Sequence, residues 1–179
     1  MKKYSLNWTS LFLLCLGLFI GGLFGLMWLE DDLLFNDSKF SVIGLELFYS
    51  KEKIIEIFSG LSDKVKTILG YHLSYDFVFM AGCYPGIICL CMMTRHKIEN
   101  RSIKTMLIIL ASCQLIAWLF DIMENNYLLK WVKTPIIGNE FGLYHFIVYS
   151  KWIIALTAVI VVLLTFVIYL FKKSKQTIV

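Results

Sequence analysis

Three carboxylates and one ammonium, Asp76, Asp121, Glu124 and Lys151, interrupt or border stretches that otherwise look apolar enough to cross a membrane. Ionisable groups at such positions are costly unless paired, and they commonly mark proton transfer or ligand recognition. Three acids against one lysine leave a net negative cluster when all four are charged. Out of water, such a cluster must take up a proton, a cation or a positively charged ligand. These four are therefore the candidate catalytic residues, and acid–base chemistry is what their types suit.

Helical spacing adds neighbours. His72, Asp76, Phe79 and Cys83 recur every three or four residues, as do Gln114, Trp118, Asp121 and Asn125, while Tyr144, Lys151 and Ala155 share a third face. Measured from tyrosines near the helix ends, Asp76, Asp121 and Lys151 lie at similar depths of roughly 7–11 Å, at 1.5 Å per residue. Gln114, Trp118, Asn125, Tyr84 and Tyr144 are the accompanying ligand-binding candidates. A metal set would combine the acids with His72 and His145, which suits Mn, Fe or Zn. The chain contains neither H-x-x-H nor H-E-x-x-H, and neither metal ligands nor a cofactor is assigned.

Helices through a bilayer must position these residues. The chain is 59% hydrophobic and 17% charged, against about 45–50% and about 25% in soluble domains. Apolar runs at 11–29, 77–94, 105–120 and 152–171 predict four spans, each needing roughly 20 residues. The third reaches that length only by running through Asp121 and Glu124. The sequence thus predicts an all-α, polytopic membrane protein, a single domain over 1–179 with spans at about 9–29, 71–94, 104–127 and 144–171. Ser50 would cap a further amphipathic helix at about 51–69, ended by Gly70, at the interface or over the bundle mouth. Tyr84-Pro85-Gly86 predicts a kink or local opening of the second span.

Basic residues set the expected orientation. Lys2 and Lys3, the Arg95, Lys97, Arg101 and Lys104 turn, and Lys172, Lys173 and Lys175 read as cytoplasmic, with both termini inside the plasma (inner) membrane. The loops at 30–70 and 128–143 would lie outside. The net charge of +4 follows from that asymmetry, and no nucleic-acid partner is implied. The first apolar run is longer than a signal-peptide core and lacks an A-x-A-like site, so it reads as an uncleaved anchor. All five cysteines fall within spans, without C-x-x-C, and read as packing residues. Tyr71, Tyr75, Tyr127, Trp131, Tyr144 and Tyr149, with Trp28, suit an aromatic belt. Gly17, Gly21 and Gly25 form overlapping G-x-x-x-G repeats suited to close helix packing, within the chain or in a homodimer.

Asp76-Phe77-Val78-Phe79 with Tyr84, Asp121-Ile122-Met123-Glu124-Asn125, and Lys151 resemble an uncharacterised group of small bacterial four-helix membrane proteins. That group carries D-x-x-F, D-x-x-E-N and a fourth-helix lysine. The resemblance implies a similar bundle with the same polar positions, and no activity. The leading expectation is an outer-leaflet-side site that binds, or modifies by acid–base chemistry, a lipid-like molecule entering from the bilayer. Asp121 would be the acid–base group, Asp76 its charge partner, Lys151 a stabiliser, and Asn125 and Gln114 orienting groups. One alternative is an assembly or immunity-type protein without catalysis. Another is a small transporter or ion-coupled subunit, for which polar residues below Gln114 and Tyr84 are sparse.

Overall fold

The computed structural model describes residues 7–177, with side chains through 170. Lys2 and Lys3 lie outside the described residues, and the side chains of Lys172, Lys173 and Lys175 outside the described side chains. Four helices are long and apolar enough to span a membrane. They are α1 (Trp8–Glu30), α3 (Asp63–Lys97), α4 (Arg101–Lys133) and α5 (Phe141–Thr177), with the short α2 (Lys51–Gly60) between the first two. The protein is an all-α, multi-pass membrane bundle.

α1 is apolar all round and buries only Cys15, Gly22 and Leu26. Such a helix is stable where lipid, rather than protein, covers most of its surface. Its first free N–H groups are met by Asn7, whose side-chain oxygen accepts from Thr9 and Ser10. α3 ends in Arg95, His96 and Lys97, where cations complement the negative end of the helix dipole. Asn100 then caps α4 by accepting from the Ser102 and Ile103 amides.

The segment between α1 and α3 differs from the expected single helix over 51–69. Ser50 does cap a helix, accepting from the Lys53 amide, but that helix stops at Gly60. Ser62 starts another, accepting from the Val65 amide at 3.4 Å, and residues 63–70 form the first two turns of α3. Gly70 sits inside α3 rather than ending it. A helical glycine costs about 1 kcal/mol relative to alanine, which is outweighed here because flanking Leu69 and Leu73 are both fully buried. α3 also runs through Pro85 without interruption.

Before α2, β1 (Leu34–Phe35) and β2 (Ser38–Lys39) form an antiparallel hairpin. Asn36 and Asp37 make its turn with φ of 49° and 59°, a left-handed pair that Asn and Asp tolerate. A π-helical turn, Gly44–Phe48, follows. Leu33, Phe40 and Leu45 from this segment join Ile54 and Phe58 of α2, Leu69 and Leu73 of α3, Trp131 of α4 and Tyr144 of α5 in one core. Each large apolar side chain buried there contributes about 1.5–3 kcal/mol. The cap is thus packed onto the bundle end, so α2 is not a free interfacial helix.

α1 packs along α3, α3 against α4 and α4 against α5, whereas α1 and α5 scarcely meet. The α1–α3 seam is close because Gly22 lies against the Phe79 backbone and Gly82 against the backbone of Cys15 and Phe19. A Cβ on Gly22 would fall 2.8 Å from the Phe79 Cα. The G-x-x-x-G stripe divides differently from the expectation: Tyr75 covers Gly25, while Gly17 and Gly21 face open space.

Candidate functional site

Between α1 and α5 lies a cleft of about 530 Å³. Phe12, Leu16, Phe19 and Leu23 of α1 line one side, Ile87 and Leu90 of α3 the back, and Leu156 and Val159 of α5 the other side. Along α1 the lining runs from Phe12 to Glu30, about 27 Å at helical rise. Its cap end is polar, formed by Glu30, Glu46, His72, Asp76, Asp121, Asn125 and Lys151, with Val42 and Ile43 beside them. A long apolar pocket ending in a few convergent polar groups is the usual form of a small-molecule site.

Lys151 organises the polar end. Its side chain is only 7% exposed, and its ammonium lies 2.5 Å from Asp121 Oδ1, 2.7 Å from Glu124 Oε2 and 3.3 Å from Glu46 Oε2. Asp121 and Glu124, three apart on α4, present both carboxylates from one face, and the π-helical turn brings in the third. Three carboxylates and one ammonium leave this group at −2 when all are ionised. The ammonium occupies the centre where the acids converge, and no group of three or more His, Cys, Asp or Glu among the described residues is placed to hold a metal ion.

Each acid has a different degree of freedom. Asp121 is engaged at both oxygens, since the Tyr84 hydroxyl donates to Oδ2 at 2.9 Å. Glu46 Oε2 also accepts from Trp152 Nε1 at 3.0 Å. Glu124 is fully buried, and its Oε1 has no hydrogen-bond partner among the described residues. Asp76 stands apart: Asn125 Nδ2 donates to its Oδ2 at 2.7 Å, and no cation lies within ion-pairing distance among the described residues. Its other oxygen has no partner among the described residues and belongs to a side chain that lines the cleft.

The sequence-derived candidates therefore separate into groups. Asp121, Glu124 and Lys151 meet directly, Asp76 joins them through Asn125 on α4, and Tyr84 holds Asp121. Three of the ligand-binding candidates do not reach the cleft. The Tyr144 hydroxyl donates to the Leu45 carbonyl at 3.1 Å, two helical turns from Lys151, so it anchors the cap. Trp118 stacks on Tyr84 at 6.3 Å and supports it from behind. Gln114 Nε2 donates to the carbonyls of Leu110 and Ile154, which ties α4 to α5. Of the histidines, His72 lines the cleft, whereas His145 packs on Phe141 at 4.4 Å.

Glu46 was not among the sequence candidates, yet it completes the cluster. Its signal resembles that of Asp76: a lone acid in the apolar run from Val42 to Tyr49. Glu30 is the other omission, and its Oε1 accepts from the Val42 amide at 3.0 Å, fixing the cap to the end of α1. Fold and site together define a four-helix membrane protein with a lateral, polar-headed cleft. Searches of family models, curated proteins and solved structures find no match to the chain.

Proposed function

We propose that the protein binds an amphiphile from the bilayer and acts on its polar head by acid–base chemistry. The observation that carries this reading is the cleft itself, apolar along α1, α3 and α5 and ending in carboxylates held around one lysine. The tail would lie along Leu16, Ile87 and Leu156. The head would meet Asp76, whose second oxygen, without a partner among the described residues, is suited to accept or return a proton. Asp121, engaged on both oxygens, serves better as a fixed anchor that keeps Lys151 and Tyr84 in place. Positive residues at Arg95, Lys97, Arg101 and Lys104 favour a cytoplasmic turn, which places the polar end near the outer leaflet of a bacterial plasma membrane.

Mass spectrometry of lipids from cells expressing wild type or Asp76→Asn, and of lipids held by the purified proteins, tests this reading. A species altered or retained with wild type and unchanged or released with Asp76→Asn is expected. Identical lipid profiles from two equally folded proteins would overturn it. A second reading, a membrane assembly protein, draws on Gly17 and Gly21, which face open space on α1 and suit a homodimer seam. Relay transport is less well supported, because the cleft lining from Ile87 to Leu90 and from Ala155 to Val159 carries no ionisable side chain.

A further inference from the structure

The charges at the head of the cleft are unbalanced in a specific way. Lys151, the only cation lining it among the described residues, is already shared by Glu46, Asp121 and Glu124. Asp76 and Glu30 also line the cleft, and neither has a cation partner among the described residues. A carboxylate at the boundary of a low-dielectric cavity favours a positive charge beside it.

A second observation points to the same place. His72 lies one turn before Asp76 on the same face of α3 and lines the cleft. It is 5% exposed and walls the polar end of the cleft beside the Asp76 oxygen that has no partner among the described residues. Polar atoms enclosed in this way are rarely left unpaired, because the lost hydrogen bond is costly. That oxygen accepts hydrogen bonds. The missing complement is therefore a donor that carries positive charge.

We infer that the cleft takes an amphiphile with a primary ammonium head, whose N–H groups donate to Asp76. The inference rests on the proposed amphiphile site and specifies its head. A quaternary ammonium satisfies the charge but has no N–H to donate. An alcohol donates without charge, and a carboxylate is repelled. A single apolar tail fits between Leu16 of α1 and Leu156 of α5, whose helices leave the gap.

The test uses the full chain in nanodiscs and native mass spectrometry with probes that share one chain: dodecylammonium, dodecyltrimethylammonium, dodecanol and dodecanoate. Dodecylammonium is expected to bind about ten-fold or more tightly than each of the others, and Asp76→Asn is expected to bring it to the same affinity as dodecanol. Should Asp76→Asn fail to fold, Asp76→Ser replaces it, with the same expected loss of preference. Equal affinity for dodecylammonium and dodecanol, or a preference that survives the folded variant, overturns the ammonium head but leaves an amphiphile site. Failure of all four probes to bind overturns the amphiphile reading itself. Displacement of dodecylammonium by ethylammonium at equal concentration would show a site for free amines and would also overturn it.

Discussion

Against α3, the first helix is drawn in until Gly22 and Gly82 bring backbone onto backbone; against α5, it leaves a gap of about 530 Å³. Both sides are built from apolar residues, so hydrophobicity does not explain the difference. Side-chain size does. Glycine allows van der Waals contact over a long seam, the main attraction between helices where lipid competes for apolar surface. On the open side, the larger Phe12, Phe19, Leu23 and Leu156 line the gap, and the polar cluster closes it only at its cap end. The seam fixes α1 so that the cleft keeps its shape.

The comparison is broken most severely at the cleft's polar end. Lys151→Met leaves Glu46, Asp121 and Glu124 without their cation, and breaking a buried pair this way costs about 3–5 kcal/mol. Thermal unfolding should show a correspondingly lower Tm. The loss should shrink as pH falls, because protonation relieves the repulsion among the stranded carboxylates. A Tm unaffected at neutral pH would mean that the cluster is hydrated and structurally unimportant.

Seam substitutions come next. Gly82→Leu pushes a side chain into the backbone of Cys15 and Phe19, and overpacking of this kind costs about 3 kcal/mol. It should lower Tm by about 6–12 °C, taking about 2–4 °C per kcal/mol for a chain of this size. Leu156→Trp instead narrows the open side. It should leave Tm near wild type and weaken amphiphile binding about ten-fold, as measured by titration in nanodiscs. The adjacent pair Gly21 and Gly22 gives the finest contrast. Gly22→Ala meets Phe79 and should destabilise, whereas Gly21→Ala has open space and should stabilise by up to about 1 kcal/mol through helix propensity. A destabilised Gly21→Ala with loss of dimer on size-exclusion chromatography would favour the homodimer seam.

Much of this arrangement was legible in the residues because a membrane penalises every charge. Asp121, Glu124 and Lys151 stand out for that reason, and periodicity aligns them without knowledge of the fold. Glu46 escaped because it lies in a segment expected to be a loop, where a lone acid has no depth to betray it. Its position depends on a π-helical turn, and nothing in five residues distinguishes that from an α-helical one. Gly70 misled because a glycine after an apolar stripe is an ordinary helix stop, and only burial of Leu69 and Leu73 in the cap overrides it. The choice between Gly17, Gly21 and Gly25 on one hand and Gly22 on the other is a matter of helix rotation. Spacing defines a stripe, but the partner's shape decides which stripe is used.

The central claim is that the gap beside α1 is a ligand site, which is tested most directly by native mass spectrometry of the protein released from membranes without added ligand. The wild type should carry one bound amphiphile, and Leu156→Trp, equally stable, should retain it about ten-fold less. Equal retention by both proteins would contradict the claim, because a molecule seated beside Leu156 would be crowded by the larger ring.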